Sequence, residues 1–212
     1  MRVMWFRDGA TAAVALGAAV VAMLGLGVSV WYVLPRVDQN GAAATGTTTP
    51  AAPTTTTFAA EADTYVQADT ATTNYGTAIQ VVVDRSPERR SFLRFTVSGL
   101  TDPVIRAVLR LHTISGNTGS PSGGTWRNVT DTTWSETAVT WENQPEIDGT
   151  AVGELGAVTS STWYEVDVTG LVTGNGTYTI VGTSMNEDGA YFDTREVAAN
   201  APHLVVSTAP TP

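Results

Sequence analysis

The chain has 212 residues, of which 42% are hydrophobic and 15% are charged, and it contains no cysteine, which excludes disulfides and thiolate metal sites. Twenty acidic residues against 11 basic residues, all of them arginines, give a net charge of −9, and a field of that sign argues against nucleic acid as a partner. The length suits one ordinary domain with appendages.

The first part of the sequence predicts a membrane anchor. Residues 9–34 are a continuous run of apolar and small residues, long enough as a helix to span the roughly 30 Å hydrocarbon core of a bilayer. Arg2 and Arg7 precede this run, so the positive-inside rule places residues 1–8 in the cytoplasm and the remainder of the chain outside the cell. The alternative is a cleaved signal peptide and a secreted protein, but the apolar region of such a peptide is normally about 7–15 residues long.

Residues 35–58 follow as a segment made largely of Ala, Thr, Gly and Pro. A segment with almost no large apolar side chains cannot bury enough surface to fold, so we expect a disordered stalk. The folded region is then predicted over residues 59–208, with a short tail at 209–212.

The folded region has the pattern of an all-β protein. Two segments show the clearest alternation of apolar residues, and glycine-rich turns separate many other short segments that favour strands. A single helical hint falls at residues 169–172. Together these features predict a β-sandwich. The predicted strands are Thr64–Val66, Ile79–Asp84, Arg89–Val97, Ile105–Ile114, Thr125–Asn128, Val139–Trp141, Ala151–Val158, Trp163–Val168, Thr177–Met185, Ala190–Asp193 and His203–Ser207.

Alternation also places several arginines on strand faces opposite the apolar residues. Arg106 and Arg110 have this position in the segment 105–114, and Arg94 has it in the segment 89–97. If the two strands are neighbours, these arginines form a stripe that could hold sugar carboxylates or sulfates with two hydrogen bonds each. The other interpretation is that they pair with the abundant acidic residues or extend over an apolar face.

Further candidate binding residues lie near predicted turns. Arg85, Arg89 and Arg90 lie close to a proline that ends a strand, where we expect exposure either as a binding surface or as a solvated loop. Tyr75 lies in a predicted turn, and Tyr191 is another tyrosine whose ring could stack on a sugar. For any of the aromatic residues the alternative role is packing in the core.

No catalytic constellation is present in the sequence, which has two histidines, no cysteine and no serine-nucleophile elbow, so we expect no enzyme activity. Acidic residues are too numerous for a carboxylate pair to indicate a glycosidase, and Glu136 and Glu196 are interpreted as members of structural ion pairs or hydrogen-bond networks. No cofactor is predicted. A structural calcium ion near Asp63 or residues 186–189 stays open, although no EF-hand spacing is present.

A series of short motifs occurs in a specific order along the folded region. They are Ala62–Val66, Asn74–Gly76, Phe92–Phe95, Ala107–Leu111, Trp134–Trp141 with Asn143–Pro145, Trp163–Thr169, Phe192–Glu196 and Pro202–Val206. In this order they resemble the DNRLRE domain, also classed as carbohydrate-binding module family 96, over residues 60–207.

This resemblance implies a jelly-roll β-sandwich of the kind found in secreted polysaccharide-degrading enzymes and bacterial surface proteins, with alginate as the ligand of some members. Alginate-binding relatives use a basic patch, largely lysine, from the first third of the domain. The present chain has no lysine, and only Arg85, Arg89, Arg90 and Arg94 fall in that part. The resemblance therefore implies a polysaccharide ligand, acidic or neutral, and supports glycan binding as a class better than it supports alginate.

The sequence thus predicts a membrane-anchored, non-catalytic extracellular module that binds polysaccharide at the cell surface. The alternative is a structural or protein-interaction module of the cell envelope that has no glycan ligand.

Overall fold

The structure, a computed structural model, describes residues 52–116 and 119–210. The predicted anchor at residues 9–34, the cytoplasmic segment before it and most of the predicted stalk lie outside these described residues. Among the described residues no helix has the length and apolar character needed to cross a membrane.

The described part of the chain consists of strands joined by loops, with two short 3-10 helices. The helices are Ala68–Thr70 and Ala198–Asn200. The strands are β1 (Thr54–Ala59), β2 (Ala62–Gln67), β3 (Gln80–Arg85), β4 (Glu88–Val97), β5 (Val104–His112), β6 (Gly124–Val129), β7 (Ala151–Leu155), β8 (Trp163–Asp167), β9 (Gly176–Thr183), β10 (Ala190–Asp193) and β11 (His203–Thr208).

The strands form two antiparallel sheets, which confirms the predicted β-sandwich. The smaller sheet has the order β1-β11-β5-β8, and the larger sheet has the order β10-β3-β4-β9-β6-β7, with β2 paired to β4 as well. In the smaller sheet Leu204 of β11 lies opposite Leu109 of β5. In the larger sheet Leu93 of β4 lies opposite Ile180 of β9.

The main core contains apolar side chains from both sheets. Leu93 and Phe95 of β4 are fully buried in one cluster with Leu109 and Leu111 of β5, as their alternation predicts. Burying a side chain of this size contributes about 1.5–3 kcal/mol. Ile105 shares the alternation of Leu109 and Leu111, but it is 51% exposed because it lies at the start of the strand, beyond the covered part.

A second apolar cluster covers the other face of the larger sheet. Residues 130–150, here called the covering loop, connect β6 to β7, and their Trp134 and Val139 pack against Phe92 and Val181 of the sheet. The prediction of a strand at Val139–Trp141 is wrong. These residues follow a turn in which the Val139 N–H donates to the Ser135 carbonyl at 2.9 Å, and burial of the Val139 side chain accounts for the apolar pattern without a partner strand.

The sandwich also begins earlier than its composition indicates. β1 starts at Thr54, within the segment expected to be a stalk, and it pairs with β11 from Thr54 opposite Thr208 to Ala59 opposite His203. Threonine is β-branched and favours a pleated strand once a partner edge is available. The helical hint at residues 169–172 proves to be a single turn, in which the N–H groups of Leu171 and Val172 donate to one carbonyl.

Candidate functional site

A cleft of about 880 Å³ opens where the loops that follow β5 and β9 meet strands β3, β4 and β10. Its lining is mostly polar and includes one aromatic ring. The lining residues are Gln80, Asp84, Ser86, Pro87, Arg89, Ile114, Ser115, Gly116, Gly119, Glu187, Asp188, Gly189 and Tyr191.

Arg89 is fixed at this cleft by three neighbours. Its Nη1 lies 3.3 Å from Oδ2 of Asp84 and donates to the Tyr191 hydroxyl at 3.1 Å. Its Nε donates to Oε1 of Gln67 at 2.6 Å. The side chain is only 19% exposed, so its geometry is set before any ligand arrives, which lowers the entropy cost of binding.

The loops around the cleft are tied to the strands beneath them. The Ile114 N–H donates to the Tyr191 carbonyl at 3.2 Å, and the Arg85 N–H donates to the Asn186 carbonyl at 3.0 Å. Gly189 allows a close approach, because a Cβ atom at that position would lie 2.9 Å from Oδ2 of Asp84. Hydrogen bonds therefore hold the loop after β5 to β10 and the loop after β9 to β3.

The charge of the lining is acidic. Arg89 is the one basic residue among the described residues that line the cleft, against Asp84, Glu187 and Asp188, which gives a formal charge of −2. Glu187 and Asp188 are exposed, whereas Asp84 is buried and paired with Arg89. Such a lining repels a polyanion, while its carboxylates can accept hydrogen bonds from sugar hydroxyls.

Among the predicted binding residues, the structure brings Arg89 and Tyr191 together in the cleft. Arg85 is exposed at the end of β3, next to the lining residue Ser86. Tyr75 is not among the lining residues: its ring stacks on Tyr65 with centroids 4.2 Å apart, and it packs against the main core.

Arg90 and Arg94 lie beneath the covering loop. The guanidinium of Arg90 is 4.4 Å from the ring centroid of Trp141 and forms a 2.6 Å ion pair with Glu88. The guanidinium of Arg94 is 5.1 Å from the ring centroid of Trp134, and its Nη1 donates to the Trp134 carbonyl. Both arginines thus attach the loop to β4.

The predicted arginine stripe is wrong, because β4 and β5 belong to different sheets. Arg106 and Arg110 lie on the smaller sheet, 3.7 Å and 3.3 Å from carboxylate oxygens of Glu165. The alternative interpretation, in which these arginines pair with acidic residues, matches the observed contacts. Glu136 also forms the predicted ion pair, with Arg195 at 2.8 Å.

Two groupings of residues in the structure could not be predicted from the sequence. The loop residues of the cleft, such as Ser115 and Ser86, carry no binding signal beyond their turn-rich composition, and residues 186–189 are singled out in the sequence only as a possible calcium site. A group of carboxylates from Asp63, Glu136 and Glu196 also comes together at another place in the fold. Asp63 is a candidate calcium ligand from the sequence alone, but nothing in the sequence joins it to the other two residues.

The family model described as carbohydrate-binding module family 96 matches residues 54–208, and the chain belongs to this family. The match extends from the first residue of β1 to the last residue of β11. Comparison with curated proteins finds no match for the chain.

Proposed function

We propose that this chain is a non-catalytic module that binds a neutral polysaccharide in the cleft around Tyr191. The observation that carries the proposal is a preformed cleft with an aromatic ring and fixed polar groups in a chain of carbohydrate-binding module family 96. A pyranose ring can lay its C–H face on Tyr191 while its hydroxyls bond the polar lining.

The charge of the protein supports a neutral ligand over an acidic one. The cleft lining has a formal charge of −2, and the whole chain has a net charge of −9. The arginines outside the cleft that were candidates for a sugar carboxylate are engaged in ion pairs, with the exception of the exposed Arg85. A polyuronate would therefore meet repulsion without a basic surface to offset it.

We further propose that residues 9–34 hold the module at the outer face of the cell membrane. The length and apolar character of that run support an anchor, and the arginines before it support a cytoplasmic N-terminus. The bound polysaccharide would then be held at the cell surface by a chain that has no catalytic role.

The proposal is tested with the full chain in non-ionic detergent, by biolayer interferometry on immobilised polysaccharides. The neutral polymers are a β-glucan and a xylan, and the acidic polymers are alginate and polygalacturonate, each in low and raised NaCl and with and without calcium. We expect binding to a neutral polymer that raised salt does not weaken. Tyr191→Ala should weaken this binding at least about tenfold, the equivalent of about 1.4 kcal/mol.

Tyr178→Ala is the matched control, because Tyr178 is also half-buried against the main core but does not line the cleft. We expect this variant to bind within about twofold of the unaltered chain, as its change lies outside the site. Salt-sensitive binding to alginate alone would contradict the neutral-ligand proposal. A folded chain that binds none of the polymers would favour a structural module of the envelope, and release of new reducing ends would contradict a non-catalytic role.

A further inference from the structure

Three carboxylates from distant parts of the sequence meet at the base of the covering loop. Asp63 belongs to β2, Glu136 belongs to the covering loop, and Glu196 follows β10. Each offers one oxygen, and these three oxygens lie within 4.8 Å of one another. The group contains no histidine, and it is separate from the residues that line the cleft.

Asp63 has a buried oxygen without a hydrogen-bond partner. The residue is only 1% exposed, and its Oδ2 accepts the Arg195 backbone N–H at 2.8 Å. Its Oδ1 is buried and accepts no hydrogen bond from the protein. Leaving a carboxylate oxygen unpaired in the interior is costly, so this oxygen requires a partner.

The other polar groups nearby supply only part of the positive charge that the carboxylates need. Glu136 accepts the Asp63 N–H at 2.8 Å through Oε1 and binds Nη1 of Arg195 at 2.8 Å through Oε2. Arg195 is the one cation of these contacts, against three carboxylates. Burial, together with the negative charges of Glu196 and Glu136, raises the pKa of Asp63 to about 7.

The chemistry of the group fits a hard divalent cation. All three ligand atoms are carboxylate oxygens, which calcium prefers and which softer metals do not select. Calcium binds oxygen at about 2.3–2.6 Å, so two oxygens on opposite sides of the ion are about 4.6–5.2 Å apart. Three oxygens that lie within 4.8 Å of one another are close enough to contact one such ion together.

We propose that Asp63, Glu136 and Glu196 form a calcium site that ties the covering loop to β2 and to the segment after β10. Oδ1 of Asp63 supplies the buried ligand, the glutamates complete the protein part of the site, and water fills the other positions. A carboxylate oxygen has lone pairs for both a hydrogen bond and a cation, so Glu136 keeps its existing contacts. Calcium then brings the three carboxylates and Arg195 to charge balance.

The test is equilibrium dialysis of the full chain in detergent against radioactive calcium, after treatment with EDTA, with thermal unfolding measured in parallel. We expect one ion per chain, a dissociation constant of about 0.1–1 mM as in extracellular calcium modules, and a higher unfolding temperature with calcium. Magnesium should compete at least about tenfold more weakly, because it requires a tighter octahedral shell and gives up water reluctantly.

Asp63→Asn should abolish calcium binding, and Glu196→Gln should weaken it at least about tenfold. Glu196 is exposed, so its variant leaves the fold intact and keeps the test valid if the buried substitution unfolds the chain. Glu187→Gln is the control, since it removes the same charge from the acidic loop at residues 186–189. Absence of binding at about 10 mM calcium, an equal affinity for magnesium, or loss of binding in the control with retention in the other two variants would overturn the proposal.

Discussion

Tryptophan rings hold three of the arginines that lie within strands. Arg90, Arg94 and Arg110 each place the guanidinium 4.4–5.1 Å from the centroid of an indole ring while an ion pair holds the same group. A planar guanidinium can stack on a ring and bind a carboxylate at its edge, which lysine cannot do equally well. The use of arginine alone as the cation therefore agrees with a structural role for these three side chains.

Asp63 gives the chain a distinctive dependence of stability on pH when calcium is absent. The unfolded chain ionises this carboxyl near its usual pKa of 3.8, whereas burial in the folded protein raises the pKa to about 7. Its contribution to stability is thus fully present below about pH 4 and is lost as the pH rises to about 7. The slope of this loss is at most about 1.4 kcal/mol per pH unit.

The measurement is urea unfolding of the chain and of Asp63→Asn in EDTA between pH 4 and pH 8. Asparagine can accept the Arg195 N–H bond at the same place but does not ionise, so the difference in unfolding free energy should move steadily in favour of the variant as the pH rises. A difference that stays constant over this range would show that Asp63 ionises normally in the folded protein.

The covering loop acts as a third layer on the larger sheet. Asn74 holds it from outside, since its Nδ2 donates to the carbonyls of Glu136 and Val139. Trp134 holds it from inside, through a 3.1 Å hydrogen bond from its indole N–H to Thr179 and an edge contact with Phe92. Because of this layer the middle of β4 is buried on both faces, and Phe92 and Arg94 on its outer face are not available as an open binding surface.

Strand β1 should be required for full stability, although its composition resembles that of a linker. We compare a chain that lacks residues 1–51 with one that lacks residues 1–57, which loses the pairing of Thr54–Thr57 with the end of β11. Backbone hydrogen bonds contribute about 1 kcal/mol each, so we expect the shorter chain to lose on the order of 2–4 kcal/mol in urea unfolding. The exposed edge of β11 should also promote self-association. Equal unfolding midpoints would mean that β1 adds nothing to the folded state.

Local pattern was enough to predict ten of the eleven strands, all except β1, but not the neighbours of any strand. Alternation in β4 and β5 correctly identified the buried faces that hold Leu93 and Leu109, because the two-residue period of a half-buried strand can be read from neighbouring residues. The partners of a strand depend on contacts between distant segments, so the arginines of β4 and β5 could not be separated into two sheets. For the same reason the sequence offered Arg89 and Tyr191 separately, 102 positions apart, without the hydrogen bond that joins them.

At the scale of the whole molecule, the excess of acidic residues limits which ligands the protein can bind. The chain carries 20 acidic residues and 11 arginines, and three of those arginines, Arg2, Arg7 and Arg36, but only two of the acidic residues, Asp8 and Asp38, precede the sandwich. The described domain is therefore more acidic than the chain as a whole. A neutral ligand is not repelled by the negative field of the domain, and a bound calcium ion would weaken this field only near its own site.

The same chain should behave as an integral membrane protein in a bacterial cell. If residues 9–34 form the proposed anchor, the 22.2 kDa chain stays intact and pellets with membranes after a carbonate wash, because a helix of this length spans the hydrocarbon core of the bilayer, which is about 30 Å thick. Protease added outside the cells should reach the domain and leave the cytoplasmic end protected. In cells that have an outer membrane, this membrane is permeabilised first. Replacing residues 1–34 with a cleavable signal peptide is the control, and it should release the domain. A shortened product in the medium from the unaltered chain would instead identify a secreted module, which could bind its polysaccharide but could not hold it at the membrane.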